Sequence, residues 1–117
     1  MGEFVSGLTT HVLDTAHGHP AKGVAIRLYR DGVLLTQCVT NLDGRCDKPL
    51  LTGAEMDIGR YHLEFSVGDY FRSIGTPMPT PSFLDVVTID FGVADPLAHF
   101  HVPLLVSPYG YSTYRGS

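Results

Sequence analysis

The chain has 117 residues, 44% hydrophobic and 17% charged, with eight basic side chains against twelve acidic ones and a formal charge of −4. That length supports one domain with its own core and excludes a catalytic domain joined to a second, regulatory one. The acidic balance, without any long run of one sign, argues against a dedicated nucleic-acid or anionic-membrane surface.

The opening Met-Gly-Glu-Phe-Val-Ser lacks the basic and apolar regions of a secretory signal, and the final Arg-Gly-Ser is not a peroxisomal Ser-Lys-Leu ending. No stretch reaches the roughly 18 apolar residues of a membrane span. A soluble, cytoplasmic protein is expected, and in that compartment Cys38 and Cys46 read as reduced thiols.

Residues 1–7 form a short N-terminal segment, after which apolar residues recur every second position, the period of half-buried antiparallel strands. In residues 8–14, Leu8, Thr10 and Val12 share one face, and Thr9, His11 and Leu13 the other. Residues 24–30 alternate Val24, Ile26 and Leu28 against Ala25, Arg27 and Tyr29, then meet Asp31-Gly32, a two-residue hairpin signal whose return strand is 33–40. Asn41-Leu42-Asp43-Gly44 is the next turn. Residues 61–67 point Tyr61, Leu63, Phe65 and Val67 inward.

The period breaks at 69–74, where Asp69 caps one short helix that stops at Gly75. Alternating prolines make 76–81 an extended loop within the domain. Strands follow at 83–91 and 99–106, the second interrupted by Pro103, which marks an edge, a bulge or a strand end. Residues 109–114 make a last aromatic-rich strand. Seven or eight short strands with one helix in a single domain, 1–117, give an all-β, two-sheet sandwich.

Six histidines are the compositional surplus. His99 and His101 share a strand face, and His17 and His19 have the same spacing in a loop, yet no Cys-x-x-Cys or His-Glu-x-x-His pattern accompanies either pair; no metal is expected. His17, His19 and His62 read as solvated. A Ser112, His101 and Asp95 triad lacks a Gly-x-Ser-x-Gly elbow. What remains is histidine as acid or base and arginine as a binder of developing negative charge, with neither imidazole distinguished as the base.

Three segments, Thr10-His11-Val12-Leu13-Asp14, Asn41-Leu42-Asp43-Gly44-Arg45 and His99-Phe100-His101-Val102-Pro103 through Tyr114-Arg115-Gly116-Ser117, together resemble the 5-hydroxyisourate hydrolases. These are the enzymatic branch of the transthyretin-like proteins, and the resemblance runs from Leu8 to Ser117. It implies hydrolysis of 5-hydroxyisourate in urate degradation without a cofactor, and catalytic roles for His11, Arg45 and His101. Tyr114 and Ser117 are implied to bind substrate, and the sites to line a channel in a homotetramer. The role of His99 stays open, and Phe100, where a tyrosine is common, should point away from the site. The competing readings are a transthyretin-like carrier that holds a small ligand without turning it over, and a histidine-rich metal-binding sandwich.

Overall fold

The computed structural model describes residues 6–116, so residues 1–5 of the N-terminal segment and Ser117 lie outside the described part. In chain order it has β1 (Gly7–Asp14), β2 (His19–Pro20), β3 (Ala25–Arg30), β4 (Val33–Val39), β5 (Leu51–Thr52) and β6 (Gly59–Ser66). Then come α1 (Val67–Ser73), β7 (Val86–Val93), β8 (His99–Ser107) and β9 (Gly110–Thr113). One sheet runs β2-β1-β8-β9 with β5 also on β1, and the other runs β4-β3-β6-β7.

The alternation read from the sequence decides which side chains meet between the sheets. Leu8, Val12, Ile26, Leu28, Leu63, Phe65 and Leu104 are fully buried, and Phe100 and Val102 join them from β8. Each such side chain contributes about 1.5–3 kcal/mol relative to exposure, so this interleaving is the main source of stability. Thr10, the polar member of the inner face of β1, donates to the carbonyl of Val102 at 2.7 Å and so offsets its burial. The expected hairpin turn has Asp31 at φ 51° and Gly32 at φ 79°, the left-handed pair that matches the twist of the flanking strands.

Several expectations are corrected. β1 and β8 pair in parallel, with Thr9 opposite His101 and His11 opposite Pro103, whereas the other strand pairs are antiparallel. Periodicity of two reports burial of a face and carries no strand direction. Pro103 lies inside β8, between β1 and β9, and not on an edge strand. The β8–β9 ladder stops at Leu104–Thr113 and resumes only at the bridge between His101 and Gly116, so Pro103 stands in the gap, where no N–H is called for. Gly7 already belongs to β1, α1 starts two residues before Asp69, and β7 starts at Val86, beyond an exposed Phe83.

The cysteines also differ from expectation: Cys38 and Cys46 form a disulfide with Cα atoms 6.2 Å apart. The Asn41 N–H donates to the carbonyl of Arg45, closing a tight turn that carries Cys46 back beside β4. The cross-link closes a loop of sequence separation 8, which by chain entropy stabilises by about 2 kcal/mol. Urea unfolding of the double variant Cys38→Ser, Cys46→Ser should therefore show a lowered midpoint with little change in slope. An unchanged midpoint would contradict the pairing.

Candidate active site

The turn after β4 is built to sit on β1. The Asn41 side-chain oxygen accepts the N–H groups of Asp43 at 2.9 Å and Arg45 at 3.2 Å, a local alternative to strand pairing. Gly44 has φ 74°, and a Cβ there would collide with the carbonyl of Val12, so glycine is needed for both conformation and approach. The Val12 N–H donates to the Gly44 carbonyl at 2.8 Å, and a bridge joins His11 to Arg45. Arg45, remote from His11 in sequence, is thereby fixed beside it.

His11 projects from the outer face of β1 with Nε2 2.9 Å from the carbonyl oxygen of Asp43. A carbonyl only accepts, so the neutral ring carries its proton on Nε2 and keeps the Nδ1 lone pair. Burial holds the His11 pKa below the ordinary histidine value, and the Arg45 cation adds to this against the opposing oxygens of Asp43.

His101 projects from the same sheet face on β8. Its Nδ1 lies 2.9 Å from the Thr9 hydroxyl, and its carbonyl accepts the Gly116 N–H at 2.7 Å. Gly116 packs so close that an added Cβ would lie 2.7 Å from His101 Cδ2, which explains a glycine in the tail. Burial lowers the His101 pKa too, followed by the fields of Arg45, His11 and His99. Both imidazoles are thus held neutral near physiological pH. Arg45 is exposed, and among the described residues its guanidinium enters no ion pair, leaving its donors available to an anionic group.

The tail divides. Tyr114 is 60% exposed and makes no hydrogen bond to His11, Arg45 or His101. Arg115 lies with its guanidinium 4.3 Å from the Phe100 ring centroid and donates to the His99 carbonyl at 3.2 Å. Phe100 itself is buried in the core, pointing away from the histidines as expected. Ser117 lies outside the described residues.

Of the histidines read as solvated, His19 is exposed, whereas two others have carboxylate partners. His62 contacts Asp90 at 2.6 Å and Glu64 at 3.2 Å, and the bond to Asp90, helped by Glu64, raises its pKa against partial burial. His17 donates from Nδ1 to the buried carboxylate of Asp14 at 2.7 Å. Among the described residues no three His, Cys, Asp or Glu side chains gather as a metal would require.

Sequence reasoning missed Thr9 and Asp14. Thr9 carried a signal, being on the same strand face as His11. Asp14 carried another, as a charged residue continuing the inward series of Leu8, Thr10 and Val12.

A surface cavity of about 550 Å³ lies on the other sheet around Arg60, His62 and Asp90. Both His62 nitrogens already face carboxylates there, so no free base is present. A smaller depression of about 190 Å³ is lined by Thr9, which contacts His101, and by Arg45 and Lys48 among others.

A β-sandwich with two neutral imidazoles and an unpaired guanidinium on one sheet face defines a class of small proteins equipped for proton transfer and anion binding. Residues 8–116 match the model of the HIUase/Transthyretin family, and the chain belongs to that family. It is 60% identical over 114 residues to the 5-hydroxyisourate hydrolase of Mesorhizobium japonicum, covering 94% of this chain and 91% of that one. The Klebsiella pneumoniae 5-hydroxyisourate hydrolase superposes with a TM-score of 0.83 at 39% identity, over 96% of this chain and 99% of the other. Sea bream transthyretin in complex with thyroxine superposes at 0.81, but at 28% identity, with 93% of each chain covered.

Proposed function

We propose that this protein hydrolyses 5-hydroxyisourate, opening a ring amide to give 2-oxo-4-hydroxy-4-carboxy-5-ureidoimidazoline as a step of urate degradation. The observation that carries this reading is the convergence of His11, Arg45 and His101 on one sheet face. The hydrolase relatives, at far higher identity than transthyretin, favour turnover over carriage of a ligand.

His11 keeps a lone pair on Nδ1 and is the general base. It takes a proton from water as the hydroxyl oxygen bonds to the ring carbonyl carbon, whose π electrons move onto oxygen. Arg45 binds the charge that develops there. Collapse of the tetrahedral species breaks the carbon–nitrogen bond, the proton that His11 took from water passes to the departing nitrogen, and the neutral His101 donates a hydrogen bond from Nε2 in that step. No cofactor enters these steps. Tyr114 and Ser117 of the tail take the substrate-binding roles that the family resemblance implies.

The face bearing the imidazoles is open, and enclosure by further copies of the chain, as a homotetramer with a shared channel, supplies the missing walls. Among the described residues no helix is long and apolar enough to cross a membrane.

Freshly generated 5-hydroxyisourate should lose its ultraviolet absorbance much faster with the protein than in buffer. Arg45→Glu should slow that decay by about a hundredfold, the cost of a lost oxyanion donor. Light scattering on the same sample should give about four times 12.7 kDa. Decay no faster than in buffer would overturn the assignment.

A further inference from the structure

The hydroxyl of Thr9 touches two imidazoles. Thr9 and His101 are direct partners in the parallel ladder, so their side chains share a face, and Gly7 pairs with His99 one repeat away. The Thr9 Oγ1 atom lies 2.9 Å from His101 Nδ1 and 3.3 Å from His99 Nε2. The other nitrogen of His99, Nδ1, is buried without a hydrogen-bond partner among the described residues.

From this arrangement we infer that Thr9 is a positioning residue for the proposed hydrolysis: through a one-way hydrogen-bond chain, His99 Nε2 to Thr9 Oγ1 to His101 Nδ1, it fixes the His101 proton on Nε2.

The direction follows from counting protons. A hydroxyl has one hydrogen and two lone pairs, so Thr9 can donate to only one ring; accepting from both would leave its hydrogen without an acceptor among the described residues, so it donates to one ring and accepts from the other. Were it to donate to His99, the single proton of that neutral ring would sit on Nδ1, a buried N–H with no acceptor. Orphaned buried N–H groups are rarer in folded proteins than underused acceptors. The His99 proton therefore sits on Nε2 and is donated to Thr9, whose own hydrogen points at His101 Nδ1. His101 is left with its proton on Nε2, remote from Thr9.

His11 and His101 thereby differ in function although both are neutral. The Asp43 carbonyl leaves His11 with a lone pair on Nδ1, and Thr9 leaves His101 with an Nε2–H that can donate a hydrogen bond. His99, whose role was open, becomes the first donor of the chain.

The inference rests on the hydrolase reading, but its main test does not. Long-range proton–nitrogen NMR spectra of ¹⁵N-labelled protein at about pH 8, where the imidazoles are neutral, read each ring's tautomer. His101 and His99 should both show Nδ1 unprotonated and Nε2 protonated. Thr9→Val keeps the shape and removes the hydroxyl. It should mix the His101 tautomers and lower kcat about 30-fold with KM nearly unchanged, part of the ~10²–10⁴ that positioned proton transfer supplies. Thr9→Ser should restore both. A His101 Nδ1–H in the native protein, or tautomer and kcat unmoved in Thr9→Val, would refute the chain. Native protein with the stated tautomers but no hydrolysis would defeat the functional reading and leave the chain standing.

Discussion

His11→Gln should lower kcat for 5-hydroxyisourate by about 10³, within the ~10²–10⁴ that a positioned base contributes. The glutamine amide can still donate to the carbonyl of Asp43, as His11 Nε2 does at 2.9 Å. What it lacks is a lone pair that can take a proton from water, so the thermal midpoint should hardly move while turnover falls. Activity above about a tenth of the native value would transfer the base role to His101.

The pH profile adds an independent check. Burial first and Arg45 second keep the His11 pKa below the ordinary value of about 6.5. Native kcat/KM should therefore hold through pH 6.5 and fall only at lower pH, as Nδ1 is protonated. Replacing Arg45 with glutamine removes one cause of the depression, so the acid limb should move up toward 6.5. An acid limb that stays in place would separate Arg45 from the titrating group.

The largest loss of stability is expected from Asp14→Ala. The Asp14 carboxylate is buried at the end of β1 and accepts four hydrogen bonds. These come from the backbone N–H groups of Ala16 and His17 at 3.0 Å, His17 Nδ1 at 2.7 Å and the Tyr70 hydroxyl at 2.7 Å. Tyr70 is on α1, so this one carboxylate ties the helix to the first strand. Truncation strands the Tyr70 hydroxyl and two backbone donors and should cost about 3–4 kcal/mol. For a domain of this size the thermal midpoint then drops by roughly 15 °C. Asp14→Asn retains the shape and should lose about half as much, since Tyr70 and His17 can each accept from the new amide. Equal loss in both variants would assign the effect to charge.

Burial tends to raise the Asp14 pKa, but the bonds from Tyr70 and His17 outweigh it, and the folded value lies below that of the unfolded chain. The carboxylate therefore stabilises fully above the unfolded pKa near 4, and that share is lost as pH falls through the folded value.

Most of the fold was legible because one face of each strand must be buried, and alternation writes that demand into the chain. Leu8, Ile26 and Leu63 are where the pattern puts them. The site was legible in a different way. His11, Arg45 and His101 were identified through the family resemblance, because two long-range facts join them: parallel pairing of β1 with β8, and the seat of Gly44 on Val12. Neither leaves a local period. The Cys38–Cys46 bond was misread because compartment statistics were weighed against a chain whose turn at 41–45 already brings the two residues together. His17 is exposed as read, but its bond to the inward-facing Asp14, like the contact of the half-buried His62 with Asp90 on the neighbouring strand β7, leaves no local pattern in the sequence.

The parallel pairing of β1 with β8 also orders events in time. Thr9 and His101 meet only after some 90 intervening residues have been made and arranged, so the loop closed by that contact is nearly the whole chain. Contacts of such separation delay the transition state, and sheets rich in them fold on millisecond-to-second scales where helical bundles need microseconds. The β3–β4 hairpin, closed by Asp31-Gly32, can form early and alone. The two imidazoles cannot be brought together until β8 docks against β1, so a nascent or truncated chain lacking β8 holds His11 and Arg45 without the second imidazole.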